Sequence, residues 1–349
     1  MFSPGIVPTL RLARWLGPWA DATRAPSVPV ADDDLDGMRV RLFGARERPR
    51  ATYLIAPGLH YAGADDPRLD RFCRILAHAG HLVVAPYIPD YLALTPTERA
   101  KRDFARALHA LPRWSTQKPI VFSISFGSLL AFALAADFGP RLERLVVFGG
   151  YASLHDTLRF SLTGEVEGGR HAIRDPLNQP VVLMNLLDHL VPAAPRGEAR
   201  AALVAGWRGY VEQTWGRPEM KQGERFVAVA EAIAPRLPAA IRELFLVGIG
   251  ARPGARDLAM SALARFDGRA LDPTPYLARI SGRVDLVHGA DDDVIPFEHS
   301  HTLAAAMPNA DVRVHVTGLY GHTGSAMPRL ATATKEMLTM VRVLRVLAA

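Results

Sequence analysis

An α/β chain, with a mostly parallel central sheet, helices on both faces and a large all-helical insertion, follows from three observations. Seven short β-rich runs stand along the sequence, most of them separated by helix-like stretches. One long interval, residues 151–279, breaks that alternation and holds only helix-like pieces. One junction, PIVFSISFGSLLAFALAADF at 119–138, sets a serine between a strand run and a helix run with almost no loop. The 349 residues are 49% hydrophobic, enough to bury at least one full core, and the length suggests two domains or one core with a large insertion.

Residues 1–30 read as an N-terminal arm. It lacks an uninterrupted apolar segment and a clear cleavage site, so a secretory signal is not expected and a cytoplasmic location is. No run reaches the ~18 apolar residues of a spanning helix. The basic segment LRLARWLGPW carries Trp15 and Trp19 and is expected to pack on the body. Lying on a membrane or covering a pocket mouth are the alternatives. ADDDLDG at 31–37 looks like half of a calcium loop. It lacks the closing Glu and a flanking helix pair, so an exposed turn is expected.

MRVRLF at 38–43 alternates apolar and polar residues, which suits an edge strand. ATYLIA, HLVVAP, PIVFSI and RLVVFGG are near-continuous apolar runs, as central strands covered on both faces should be. Helix-like stretches fall at 67–79, 97–111 and 126–138. Residues 151–279 then give helical pieces cut by Pro and Gly, with Trp207, Trp215, Phe226 and Phe245 available to fill their core. The strand pattern resumes with RVDLVHG and VRVHVTG, each followed by a helix-like stretch, at 297–306 and 326–347. The domains expected are a core of 1–150 and 280–349 and a helical cap of 151–279.

The net charge is +6 and the pI near 9.7, but the basic residues are scattered. That gives only weak support for an anionic partner or a membrane surface. Basic residues are not interleaved with aromatics on any one element, so no nucleic-acid partner is expected. The single cysteine, Cys73, excludes an intrachain disulfide and sits in an amphipathic helix pattern, where a buried thiol is expected. Of the twelve histidines, His299 and His301 lie two apart, too far around a helix axis to share a face. With no third ligand at suitable spacing, no metal site is expected.

The chemistry gathers at the serine junction. A strand that reverses at once into a helix holds its tip residue at strained dihedrals with the side chain projecting. The neighbours two positions away must then be small. Gly127 meets this after Ser125. Before it stands Ser123, where glycine is usual. The N-terminus of the following helix directs positive partial charge at Ser125 and at any oxyanion formed there. A serine hydroxyl needs a base, and the base a carboxylate to orient it. The loops after two later strand runs, ADDDVIP and LYGHTGS, supply Asp292 and His322, with Asp291 and Asp293 as alternatives one position away. PGLHYAG, after ATYLIA, offers the backbone N–H of Leu59 as an oxyanion donor, with Gly58 permitting close approach. The N–H of Phe126 would be the other donor.

With APGLHYAG, FSISFGS, LVHGADDDVIP and LYGHTG in this order on these elements, the chain resembles the α/β-hydrolase superfamily over 38–151 and 280–349. More narrowly, VVAPYIPDYLALTP and VVFGGYASLHDTLRF look like a group of bacterial serine hydrolases with a helical cap. The resemblance implies the α/β-hydrolase fold and hydrolysis of esters, amides, thioesters or related bonds without metal or organic cofactor. Matched to the family's G-x-x-D-x-x-x-P segment, GADDDVIP selects Asp292 over its neighbours. Ser125 argues against the family's aspartate-nucleophile chemistries.

The activity expected is that of a carboxylesterase-like serine hydrolase using Ser125, His322 and Asp292. Its substrate would be a small molecule with an apolar acyl or alcohol group, as the cap's composition suggests. Acyl transfer, thioester cleavage and carbon–carbon bond hydrolysis use the same triad and stay open. So does a fold kept only to bind ligand, although binding demands no intact triad.

Overall fold

The computed structural model describes residues 6–45, 47–191, 194–318, 320–321, 324–325 and 333–348. The strands are β1 (Val30–Leu35), β2 (Met38–Phe43), β3 (Thr52–Ala56), β4 (Leu82–Pro86), β5 (Pro119–Ile124), β6 (Arg144–Phe148), β7 (Gly282–Gly289) and β8 (Ala310–Thr317). The helices before the insertion are α1 (Ile6–Leu16), α2 (Pro67–His78), α3 (Pro89–Leu92), α4 (Arg99–Ala110) and α5 (Gly127–Phe138). Within it lie α6 (Leu154–Thr163), α7 (Gln179–Leu186), α8 (Gly197–Thr214), α9 (Arg225–Ile233), α10 (Ala239–Ile249) and α11 (Ala255–Leu263), and after it α12 (Thr274–Leu277), α13 (Glu298–Ala305) and α14 (Ala333–Ala348).

The strands form one sheet in the order β1-β2-β4-β3-β5-β6-β7-β8. β1–β2 and β2–β4 pair antiparallel, and every later pair is parallel. This is the strand order of the α/β-hydrolase fold. Both faces are covered, so successive residues of a central strand enter different cores. Leu54 and Ala56 of β3 pack with Phe104 of α4, Leu130 of α5 and Leu303 of α13. Tyr53 and Ile55 pack with Leu12 of α1, Cys73 of α2 and Met340 of α14. That is why these strands read as unbroken apolar runs. Cys73 is fully buried, and burial pushes its thiol pKa well up, so it is an inert part of the core.

Two expectations fail at the sheet's first edge. ADDDLDG is not an exposed turn: most of it is β1, and β1, not MRVRLF, is the edge strand. Asp36 and Gly37 between β1 and β2 both have positive φ (52° and 83°), the backbone of a tight two-residue hairpin, for which Asp-Gly is a favoured pair. The acidic residues belong to the strand because arginines across the ladder neutralise them. Asp32 lies opposite Arg41 and receives hydrogen bonds from both Arg39 and Arg41, at 2.6 and 2.9 Å. The hydrogen bond from Arg41 does most to hold the Asp32 carboxyl below its ordinary pKa.

By backbone proximity the chain forms two compact units. One is Met1–Ala152 with Leu271–Asp292 and Phe297–Ala349; the other is Ser153–Ala270 with Asp293–Pro296. In the second unit Trp207 and Phe245 are completely buried, and the Trp207 Nε1–H donates to the Phe245 carbonyl at 3.1 Å. A Cβ on Gly248 would lie 2.3 Å from the Trp207 ring, so the α8–α10 contact requires glycine there. Trp215 and Phe226, also expected in this core, are only half-buried. Trp215 Nε1–H donates to the Leu177 carbonyl at 3.0 Å, which keeps the ring at the unit's margin.

Candidate active site

Ser125 sits between β5 and α5 with φ +53°, one of few non-glycine residues in the left-handed region. Such backbone persists where the surroundings over-determine it. On one side the Ser125 N–H donates to the Phe148 carbonyl of β6 at 2.8 Å; on the other its carbonyl accepts from Ser128 N–H at 2.9 Å, opening α5. A Cβ on Gly127 would fall 2.2 Å from the Ala56 carbonyl oxygen, so only glycine lets α5 start this close to the end of β3. Helix α5 is buried almost all round, from Gly127 to Ala135, as the apolar sequence after the serine requires.

Ser123 occupies the position before the serine where glycine is usual, completely buried, and its hydroxyl has no hydrogen-bond partner among the described residues. The turn therefore accommodates serine in place of glycine. Gly58 lies against the elbow: a Cβ there would be 3.4 Å from the Ile124 carbonyl oxygen and 3.7 Å from the Ser125 Cβ. The loop carrying Leu59 thus runs beside Ser125, and Phe126 follows it directly in the chain.

Neighbours not assigned from sequence hold this corner. Tyr91 O–H donates to the Phe126 carbonyl at 2.9 Å, and the Tyr151 ring packs 5.1 Å from the Phe126 ring. Burial pushes both tyrosine pKa values well up, so both remain neutral donors. The Tyr151 hydroxyl donates to the Leu271 carbonyl at 2.7 Å. His60, beside Leu59, is tied at both nitrogens: Nδ1 accepts from Ala62 N–H at 3.2 Å and Nε2 lies 2.9 Å from an Asp66 carboxylate oxygen. Asp66 also caps α2, accepting from the N–H groups of Arg68 and Leu69. Burial opposes the charge on Asp66, but His60 and Arg68 outweigh it and hold the carboxyl well below its ordinary pKa.

The three aspartates after β7 have three different surroundings. Asp291 is exposed. Asp292 is buried, with a carboxylate oxygen 3.4 Å from His288 Nε2, and the other nitrogen of that ring is 2.7 Å from Ser300 Oγ. Asp293 belongs to the second unit, where its carboxylate pairs with Lys221, which also pairs with Asp175 at 2.8 Å. Burial works against the charge of Lys221, yet the two carboxylates outweigh it and hold its pKa above the ordinary value. A carboxylate already neutralised by a lysine is poorly suited to orient a histidine base.

His322 lies outside the described residues. The residues flanking it in the chain, Tyr320–Gly321 and Gly324–Ser325, pair antiparallel, and the backbone of the first pair lies beside β7. His299, weighed as a metal ligand from sequence, has Nδ1 accepting from the Ala152 N–H at 3.0 Å.

No family model and no curated protein matches the sequence. Among solved structures the chain is similar to a serine hydrolase from Cycloclasticus zankles (13% identity, 91% of this chain and 98% of that one, TM-score 0.45). It is also similar to an esterase from Exiguobacterium antarcticum (12%, 90% and 97%, TM-score 0.44) and to a putative dipeptidyl aminopeptidase IV from Bacteroides ovatus (12%, 91% and 36%, TM-score 0.45). It spans little more than a third of the last. These overlaps are low. Its strand order, its antiparallel second strand and the serine held in left-handed backbone after the fifth strand give this protein the α/β-hydrolase fold.

Proposed function

We propose that this protein is a serine hydrolase that cleaves an ester-type bond through an acyl-enzyme on Ser125. The observation that carries the reading is the elbow: a non-glycine residue at φ +53° between β5 and α5, backed by Gly127 and flanked by Gly58. A serine serving only as a helix cap has no need of that backbone.

In this mechanism His322 takes the Ser125 proton as Oγ attacks the substrate carbonyl. Asp292, steadied by His288 and Ser300, orients the imidazole and stabilises its charged form. The backbone N–H groups of Leu59 and Phe126 hold the tetrahedral oxyanion, a donor there being worth about 3 kcal/mol. The imidazolium then protonates the departing alcohol, and the acyl-enzyme remains. Water, deprotonated by His322, releases the acid and returns the proton to Ser125. No step calls for a metal or an organic cofactor. Residues 151–279 serve as the cap, and their apolar content favours a small-molecule substrate with an apolar acyl or alcohol group.

Turnover of a p-nitrophenyl ester series by the native chain and by Ser125→Ala tests this. The variant should lose at least roughly ten-thousandfold in kcat, the usual consequence of removing a triad nucleophile. Undiminished turnover would overturn the reading. Product analysis with thioester and alternative acyl-acceptor substrates separates simple ester hydrolysis from the other reactions of the same triad.

A further inference from the structure

Helix α1 has two distinct sides. Pro8 and Leu12 are buried, Leu12 completely. Ile6, Val7, Leu10, Arg11 and Arg14 are exposed, Leu10 at 64%. At about 100° per residue these five fall within one arc of about 140°. Trp19, just after the helix, is 61% exposed.

Helix α14 repeats the arrangement. The segments IVPTLRLAR at 6–14 and MLTMVRVLR at 337–345 align position by position: apolar at the first, second and fifth places, arginine at the sixth and ninth. Burial follows the same register. Met337, Leu338, Arg342 and Arg345 are exposed, while Thr339 and Val343, matching Pro8 and Leu12, are buried. The two helices pack against each other. Both therefore offer solvent a face with an apolar end and an arginine end, although packing on the sheet needs neither.

The charge on these faces has one sign. α1 contains no acidic residue. The one acid of α14, Glu336, turns to the end of β8, accepting from Thr317 Oγ1–H at 2.6 Å and Gly318 N–H at 2.8 Å. His78, on neighbouring α2, is held below its ordinary pKa by burial and then by Arg11 and Arg14, so their positive field is felt nearby. A second copy docked face to face would bring like guanidinium groups together. An anionic bilayer neutralises them while apolar side chains enter the headgroup boundary and arginine stems reach back to the phosphates. An exposed tryptophan soon after α1 in the chain suits the same boundary.

We propose that α1 and α14 form a docking face for bilayers containing anionic phospholipid. The face takes over the alternative that the sequence left open for the N-terminal arm and extends it to a second helix far away in the chain. It is independent of the reaction proposed for Ser125.

Flotation of the full chain tests it, with vesicles of phosphatidylcholine alone and of phosphatidylcholine mixed with phosphatidylglycerol. The protein should float with the mixed vesicles, much less with the neutral ones, and less at high salt. Each arginine should contribute roughly fivefold to the partition coefficient, so Arg11→Gln/Arg14→Gln should lower it at least about tenfold. Arg342→Gln/Arg345→Gln should do the same, as should Leu10→Asp, with hydrolysis of a soluble ester unchanged in each. These substitutions lie at exposed positions, and circular dichroism verifies folding. Absence of flotation with the mixed vesicles would overturn the proposal, as would equal flotation of the arginine variants. So would a concentration-dependent dimer in light scattering that Leu10→Asp abolishes, since the face would then belong to self-association.

Discussion

Ser125, the nucleophile we propose, sits in strained backbone, and its neighbours show how the strain is held. Gly127 cannot carry a side chain without meeting the Ala56 carbonyl, and the Ser125 N–H is fixed to β6. Ser123 contributes nothing comparable. Its hydroxyl is buried without a partner among the described residues, which ordinarily costs about 1–3 kcal/mol relative to an apolar group of the same shape. Ser123→Ala should therefore raise the unfolding free energy by about 1 kcal/mol in urea titrations and leave ester turnover within about twofold. Lowered stability would mean that the hydroxyl has a partner after all. The elbow and its glycine were legible in sequence because the motif is a local steric demand. The roles of Tyr91 and Tyr151 were not. Tyr91 acts on the Phe126 carbonyl and Tyr151 packs on the Phe126 ring only once the chain has folded. Nothing in a linear spacing announces such contacts.

At the scale of elements, legibility followed coverage by neighbours. β3, β5 and β6 are covered on both faces, so their sequences are almost continuously apolar and announce themselves as strands. β1 is VADDDL, a sequence of poor strand propensity, and exists because Arg39, Arg41 and Trp114 receive its carboxylates. Asp-Gly at 36–37 was the available signal, and the more conspicuous run of aspartates obscured it. That hairpin makes a specific demand on Gly37, whose φ is +83°. Gly37→Ala should destabilise the chain by about 1 kcal/mol, read as a lower urea midpoint at unchanged slope. A neutral result would mean that the turn relaxes to another type. The acid loop shows the same dependence on packing. Its triple aspartate is ambiguous in sequence, and the carboxylates differ only after folding: Asp291 is exposed, Asp292 is buried beside His288, and Asp293 pairs with Lys221.

For the whole molecule, burial also sets a pH dependence. His81 precedes β4, is 1% exposed, and meets the Tyr53 ring edge-on at 5.1 Å. Burial, then Arg50 and Arg144, push its pKa down from 6.5 to about 4. Above about pH 6.5 the ring is neutral in both folded and unfolded chains. As pH falls toward 4 the unfolded chain takes up a proton that the folded one refuses, so stability falls, by about 2 kcal/mol between roughly pH 7 and pH 5. His81→Leu should flatten that part of the stability profile in urea titrations, and an unchanged slope would contradict the assignment. The two-unit organisation is likewise a property of the whole chain, and it divides the acid loop: Asp292 belongs with the sheet, Asp293–Pro296 with the inserted helices. The central claim is that Ser125 is a nucleophile activated from distant loops, and fluorophosphonate labelling followed by peptide mass spectrometry tests it most directly. The account predicts one labelled residue, Ser125, with labelling slowed at least about a hundredfold in His322→Ala and in Asp292→Asn. Label on another residue, or undiminished labelling of Ser125→Ala, would contradict it.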